Sequence, residues 1–181
     1  MRIVLVRTRN PLNMGAAARA MANFGFDDLV LVAPYVEGWQ RARSARAGSA
    51  VLLRARVAAD LTTALEGCSF VVGTAGGEGR APEVPLEDWH IVASQFPSTG
   101  VALVFGSEKT GLSVDDISHC HRLARLPTRP QAPSMNLGQA VAVCCFDLGR
   151  RAASSAQAPI SPPAVPLSAP KLERILEAWY P

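Results

Sequence analysis

The sequence predicts a single α/β domain with a mostly parallel sheet and helices on both faces. Two observations predict it: short apolar runs alternate with segments of helical periodicity, and 49% of the 181 residues are hydrophobic while 18% are charged. That composition is enough for one well-filled core and excludes a disordered chain. No apolar run reaches the roughly eighteen residues that a membrane span needs.

Six short runs rich in apolar residues are predicted to form the strands. Each has four or five residues and reads as a buried strand of a parallel sheet. The predicted strands cover residues 3–6, 29–33, 56–59, 70–74, 101–105 and 122–126.

Segments of helical pattern lie between and after these strands. Glycine follows the first three as a C-terminal stop, Asp60 is placed to cap the third, and Ser113 with Asp116 suggests a capping box. The predicted helices cover residues 13–24, 37–47, 60–66, 86–95, 113–120 and 134–150.

The composition changes after residue 151, which we take as the end of the domain. Residues 152–170 contain five prolines, six alanines, four serines and no charge, as a linker would. Residues 171–181 follow, and in them Leu172, Ile175, Leu176 and Trp179 have the spacing of a short amphipathic helix.

The cysteines and the first residues indicate a cytoplasmic protein without a metal. Cys68, Cys120, Cys144 and Cys145 form no CxxC pair or zinc-like spacing. The apolar stretch at residues 3–6 is too short for the core of a signal peptide. We therefore expect reduced thiols, no metal and no membrane.

The charge is unevenly distributed along the chain. Residues 1–60 hold nine Lys and Arg against four Asp and Glu, residues 61–121 hold two against eight, and residues 122–151 hold five against one. If the two basic ends meet, they form a surface suited to phosphates. Scattered, solvated arginines would give the same counts, so charge alone leaves nucleic-acid binding open.

Three common enzyme classes find no support. The glycines of residues 73–79 are not in the register of a dinucleotide-binding GxGxxG. Residues 106–113 have the GxxxxG spacing of a P-loop, but Leu112 stands where the phosphate-binding lysine belongs. No GxSxG nucleophile elbow occurs, which disfavours a serine hydrolase.

Polar residues inside apolar segments are the candidates for chemistry. Asn13 and Arg19 interrupt the first helix, where Arg19 is either an anion anchor or an ordinary exposed arginine. Glu108 follows a buried strand and is either part of a functional site or an ordinary solvated carboxylate in a turn. Ser134 would serve as a helix cap, but the amide of Asn136 must find partners if it is buried.

Three segments together resemble the motifs of the SpoU/TrmH family, the SPOUT-class RNA ribose 2′-O-methyltransferases, and are most similar to its TrmJ-type branch. In chain order they are NMGAAARAM (residues 13–21), FGSEKTGLS (105–113) and SMNLGQA (134–140). The match runs over about residues 2–150. Any one motif alone would be weak, but three in order are specific.

This resemblance implies a trefoil-knotted fold, an obligate homodimer and S-adenosylmethionine as the cofactor. Asn13 and Arg19 are expected near the cofactor at the subunit interface. The cofactor-binding residues implied are Thr74, Ala75, Gly76, Gly106, Ser107, Leu126, Pro133, Ser134 and Met135.

The implied reaction is methyl transfer to a ribose 2′-hydroxyl, most similar to that at position 32 of a tRNA anticodon loop. Arg19 occupies the family's catalytic position, and either assists proton removal or grips a phosphate. Asn13, Glu108, Ser134 and Asn136 are expected to orient Arg19, the ribose or the cofactor.

Two departures separate this chain from the TrmJ-type branch. The loop Gly76-Gly77-Glu78-Gly79-Arg80 differs from the arginine-containing loop that this branch often has. Residues 171–181 resemble only the start of the longer helical C-terminal extension of that branch, as in a truncated form. The alternatives are therefore an rRNA-directed methyltransferase, or a non-catalytic SPOUT-fold module for RNA binding or assembly.

Overall fold

The computed structural model describes residues 1–35, 38–76 and 84–155. Seven strands form one sheet, all parallel, in the order β3-β2-β1-β6-β4-β7-β5. The strands are β1 Arg2–Val6, β2 Asp28–Val32, β3 Arg56–Ala58, β4 Phe70–Thr74, β5 Leu86–Asp88, β6 Val101–Phe105 and β7 Arg122–Arg125. The predicted parallel α/β domain is confirmed, and all six predicted strands are present.

Helices cover both faces of this sheet, as the sequence predicts. They are α1 Pro11–Asn23, α2 Ser49–Leu53, α3 Leu61–Ala64, α4 Trp89–Ser94, α5 Val114–Ser118 and α6 Leu137–Ser155. Along β1, Ile3 and Leu5 pack with α1, α2, α4 and α6, whereas Val4 and Val6 pack with α3 and α5. Because side chains alternate along a strand, a run buried on both faces must be continuously apolar.

The caps of the shorter helices agree with the sequence. The carboxylate of Asp60 accepts a hydrogen bond from the Thr63 N–H at 2.7 Å, and Ser113 with Asp116 forms a capping box. Helix α1 begins two residues earlier than predicted, because Asn10 caps it and Pro11 occupies its first turn.

The prediction of a helix over residues 37–47 is wrong. Glu37 lies outside the described residues, and the segment after it forms two 3₁₀ turns, Trp39–Arg41 and Arg46–Gly48, before α2. Its buried side chains, Trp39 and Ala45, are six residues apart, which is two full turns at three residues per turn but does not return to one face of an α-helix. Gly48 also lies directly against the backbone of Arg19 on α1.

Two other predicted helix bounds are corrected. Residues 86–88 form the edge strand β5 instead of the first turn of α4, because Leu86 pairs with Leu123 of β7, a contact that no local pattern reveals. The last helix begins at Leu137 and not at Ser134.

The last helix also extends beyond the predicted domain end, since α6 runs to Ser155, past residue 151. The rest of the proposed linker and residues 171–181 lie outside the described residues. The knot that the resemblance implies stays a prediction.

An ion pair between Arg7 and Asp116 joins the loop after β1 to the start of α5. Arg7 has a left-handed backbone (φ 50°), and its guanidinium donates to both carboxylate oxygens of Asp116. Asp116 is 2% exposed and also accepts from the Ser113 N–H at 2.6 Å and the Ser113 hydroxyl at 2.7 Å. The two loops therefore have one defined relative position.

Burial raises the pKa of Asp116, but the hydrogen bonds from Arg7 and Ser113 outweigh it, so the pKa lies below its usual value. Asp116→Asn, which removes the charge at constant shape, should therefore lower the free energy of unfolding by about 2 kcal/mol at neutral pH. A carboxyl with a lowered folded-state pKa stabilises above its unfolded pKa and loses that contribution as the pH falls through the folded value. The difference between wild type and variant should thus shrink in acid.

Urea unfolding of both proteins between pH 7 and pH 3 measures this difference. Asp115→Asn is the matched control, because Asp115 is the exposed neighbour of Asp116. A destabilisation by Asp116→Asn that stays constant with pH would contradict the assigned role of the ion pair.

Candidate active site at the carboxyl ends of three strands

A cavity of about 740 Å³ lies where β4, β6 and β7 end. These three strands are neighbours in the sheet, and their carboxyl ends are the usual place for a ligand in an open parallel sheet. The loop after each strand supplies one part of the wall: residues 74–76 after β4, 105–112 after β6, and 126–137 after β7. The volume lies within the range of small-molecule sites.

Every residue predicted to bind the cofactor lines this cavity. From the three loops these are Thr74, Ala75, Gly76, Gly106, Ser107, Leu126, Pro133, Ser134 and Met135. The structure thus brings together residues that are up to 61 positions apart in the chain.

The loop after β6 doubles back so closely that only glycine fits at its start. A Cβ on Gly106 would lie 2.1 Å from the carbonyl carbon of Gly111 and 2.2 Å from the nitrogen of Leu112. Ser107 and Gly111 are bridged by a backbone hydrogen bond of 2.8 Å, and Gly111 has φ 66°. Backbone groups of this loop therefore stand at the cavity wall without side chains to cover them.

The loops after β4 and β7 are fixed by a few hydrogen bonds. The Thr74 hydroxyl donates to the carbonyl of Val104 at 3.1 Å, and the Ala75 N–H donates to the carbonyl of Ala124 at 3.1 Å. In the last loop the Thr128 hydroxyl donates to the carbonyl of Pro133 at 3.1 Å. A Cβ at Gly76 would lie 3.7 Å from the Pro133 oxygen, so the two loops adjoin in the cavity wall.

Asn13 joins the first, second and third motifs at one side of the cavity. Its amide Nδ2 donates to Oε1 of Glu108 at 2.8 Å, and its Oδ1 accepts from Nδ2 of Asn136 at 3.0 Å. The Oδ1 of Asn136 accepts in turn from the Gly138 N–H at 2.9 Å and so caps α6. The cap of this helix is therefore Asn136, and not Ser134 as one alternative had it.

Glu108 is held as an anion by the start of α1. Oε2 accepts from the Arg9 N–H at 3.0 Å, and Oε1 accepts from the Asn10 N–H at 3.2 Å as well as from Asn13. Desolvation raises the pKa of Glu108, but these hydrogen bonds lower it by more, so the pKa is below its usual value. A carboxylate this strongly bound orients its donors and is a weak base.

Arg19 is the one predicted site residue that does not line the cavity. It is exposed on α1, where Leu12, Ala16, Arg19 and Asn23 recur at helical spacing and form the outer stripe of the helix. Its guanidinium makes no ion pair with any residue that the structure describes.

Sequence reasoning missed several apolar walls of the cavity. Leu86 belongs to the edge strand that was predicted as helix, and Leu123 belongs to a strand that was predicted only as core. Phe105 begins the second motif but was not predicted to line a site. The pairing order of the strands would have been the signal, because it decides which strand ends adjoin.

No metal centre is evident in residues 1–35, 38–76 and 84–155, which contain no group of three His, Cys, Asp or Glu side chains suited to a metal ion. Within the same ranges no helix has the length and apolar character to cross a membrane.

The chain is similar to known methyltransferases over most of its length. It is 38% identical over 151 residues to a protein from Pectobacterium atrosepticum, the tRNA (cytidine/uridine-2′-O-)-methyltransferase TrmJ; the match covers 81% of this chain and 63% of that protein. The chain thus spans about three fifths of that relative's length.

Two solved structures have the same architecture. The crystal structure of TrmJ from Z. mobilis ZM4 matches with a TM-score of 0.76 and 31% identity, over 98% of this chain and 74% of that one. An AdoMet-bound rRNA methyltransferase from Sinorhizobium meliloti shares the fold, with a TM-score of 0.65 and 24% identity over 83% of this chain and 56% of that one.

The family model of the SpoU rRNA methylases matches residues 1–146, a range that contains all three motifs and the whole cavity. The resemblance stated from the motifs is therefore confirmed, and this chain belongs to the SpoU rRNA methylase family.

Proposed function

We propose that this chain is an S-adenosylmethionine-dependent ribose 2′-O-methyltransferase that acts on tRNA in the cytoplasm. The observation that carries the proposal is the convergence of the three motifs on one cavity, in a chain 38% identical to a tRNA (cytidine/uridine-2′-O-)-methyltransferase. By the same resemblance the target is position 32 of the anticodon loop.

The cavity fits S-adenosylmethionine by size and chemistry. Apolar side chains such as Leu112, Leu126 and Met135 suit an adenine ring and a methionine chain, and the loops around Gly76 and Gly106 offer backbone donors and acceptors for polar edges. The S. meliloti protein that shares the fold is AdoMet-bound. When bound, the cofactor supplies an activated methyl group on a sulfonium.

In the transfer, the ribose 2′-oxygen would form a bond to the methyl carbon as the carbon–sulfur bond breaks. The sulfonium would become a neutral thioether, and the hydroxyl proton would pass to solvent water. We assign Glu108 and Asn136 to positioning, since the hydrogen bonds to Asn13 occupy both. Asn13 lies in the wall and presents its amide at a fixed orientation. Ser134 is exposed beside Met135 and can donate to the ribose or the cofactor.

We assign Arg19 to gripping a phosphate next to the target ribose. The guanidinium of arginine stays protonated at neutral pH, so Arg19 is not suited to be an ordinary base. Its planar set of N–H donors matches the geometry of phosphate oxygens. Arg19 is exposed on α1 and is therefore accessible to RNA. Because it lies outside the cavity of its own chain, it would contribute to the cavity of a partner subunit.

The proposed dimer would use the outer stripe of α1 and the adjoining face of α6. Leu12 is 54% exposed, and on α6 Val143 and Phe146 are 40% and 54% exposed. Phe146 also contacts Phe24 edge-on, with 5.7 Å between ring centroids, so this apolar face continues across both helices. Arg19 lies on the same stripe as Leu12, and burial of this face would bring it to the interface.

Substrate RNA and catalysis are tested together by transfer of a radiolabelled methyl group to bulk tRNA and rRNA, with nucleoside analysis of the product. We expect 2′-O-methylated pyrimidine from tRNA. Label on rRNA only would favour the rRNA-directed alternative, which the family's name suggests. Binding of S-adenosylhomocysteine without methylation of either RNA would favour the non-catalytic module.

Replacement of Arg19 separates a chemical role from a structural one. Arg19→Ala should reduce the methylation rate at least a hundredfold, about 2.7 kcal/mol of transition-state stabilisation, with melting temperature and cofactor binding unchanged. Arg19→Lys should recover little, because lysine lacks the planar fork. Arg54→Ala, an exposed arginine after α2, is the control, and an early-melting or dissociating Arg19→Ala would mark a structural residue instead.

Phe146→Glu should convert the protein to a monomer at micromolar concentration, because a charge would be buried against apolar side chains. Sedimentation velocity measures the change. Val114→Glu is the matched control, since Val114 is 74% exposed on α5, on the other face of the sheet. A wild-type monomer that methylates RNA would show that Arg19 works within its own chain.

A further inference from the structure

An exposed aromatic ring and an arginine are stacked at the rim of the candidate active site. The Arg9 guanidinium carbon lies 4.5 Å from the centroid of the Tyr35 ring. Tyr35 is 60% exposed, although a tyrosine ring is one of the larger apolar surfaces a side chain can have. Neither side chain belongs to the three motifs.

The backbone ties this pair to the active site. The Arg9 N–H donates to Oε2 of Glu108 at 3.0 Å, and Glu108 lines the cavity. The Tyr35 N–H donates to the carbonyl of Thr8 at 3.1 Å, which holds the end of the β2 loop beside residue 9. The pair therefore has a fixed place beside the cavity, on the side where Asn13 lies.

Among residues 1–35, 38–76 and 84–155, no carboxylate forms an ion pair with Arg9. The neighbouring Arg7, in contrast, is neutralised by Asp116. The surrounding segment is basic, with nine arginines and four acids in residues 1–60. A polyanionic ligand complements such a rim.

We propose that Tyr35 and Arg9 form a stacking platform for one unpaired nucleobase of the RNA, next to the nucleotide whose ribose enters the cavity. The inference rests on the proposed function and adds to it a residue pair that selects single-stranded or looped RNA. An aromatic ring and a guanidinium plane both stack on bases, and the in-plane N–H groups of arginine stay free to bind a phosphate. Bases in a continuous duplex are stacked on each other and cannot use the platform.

Equilibrium binding of bulk tRNA and of a blunt RNA duplex tests the platform. Tyr35→Leu keeps an apolar side chain but removes the ring, and should weaken tRNA binding about tenfold, as expected for the loss of one stacked base, while duplex binding stays within about twofold. Tyr35→Phe keeps the ring and should bind both RNAs like the wild type. In methylation assays Tyr35→Leu should raise KM for tRNA and leave kcat nearly unchanged.

A second measurement separates stacking from charge. Arg9→Ala should lower the salt dependence of tRNA binding by the equivalent of about one phosphate contact, whereas Tyr35→Leu should leave that slope unchanged. Ile91→Ala is the control, because Ile91 is 43% exposed on α4, beside the opposite edge of the sheet.

The platform is wrong if Tyr35→Leu binds tRNA like the wild type, or if it loses tRNA and duplex equally. It is also wrong if the wild type does not bind tRNA at all. If Tyr35→Leu selectively loses tRNA binding but the wild type transfers no methyl group, the platform stands and the proposed function is refuted. If the wild type methylates tRNA and Tyr35→Leu has the same tRNA affinity and KM, the proposed function stands and the platform is refuted.

Discussion

The hydrogen bonds of Asn13 are the constraint on which the site depends. One amide joins Glu108, 95 positions later in the chain, to Asn136, 123 positions later, and each bond has a defined direction. An ionised carboxylate can only accept, so the Asn13 nitrogen must face Glu108 and its oxygen must face Asn136. Because Asn136 also caps α6, the same contacts set where that helix begins. A change in any of the three side chains would remove at least one of these hydrogen bonds.

The parallel sheet supplies the frame within which these contacts are possible. Strands β4, β6 and β7 are adjacent and point the same way, so their three loops must meet at one edge. The chain returns so closely at Gly106 that the backbone of the loop after β6 forms part of the cavity wall. The Arg7–Asp116 ion pair holds the loop after β1 against α5. Buried apolar strands give the site rigidity, while its polarity comes from loops.

The inner and outer surfaces of this site differ in chemistry. The cavity wall combines apolar side chains with backbone polar groups and polar side chains such as Asn13 and Ser134. The rim carries Arg9 stacked on Tyr35 and, farther along α1, the exposed Arg19. This division suits two ligands of different character: a compact cofactor inside, and a polyanion that reaches the cavity from outside. The apolar face formed by α1 and α6 lies beside Arg19, so subunit contact and catalysis would share one surface.

The sequence by itself determined the parallel α/β class and the six strands, because burial on both faces of a sheet leaves a local apolar pattern. The residues that line the cavity were indicated by the resemblance of the three motifs to a known family. The tertiary structure alone decided that residues 86–88 form a strand, that residues 39–41 and 46–48 form 3₁₀ turns, and that Asn136 caps α6. It also placed Arg19 outside the cavity and Tyr35 beside Arg9. These outcomes depend on strand pairing and on contacts between residues remote in the chain. The free energy of such contacts depends on both partners, so it cannot be predicted from a short segment of sequence.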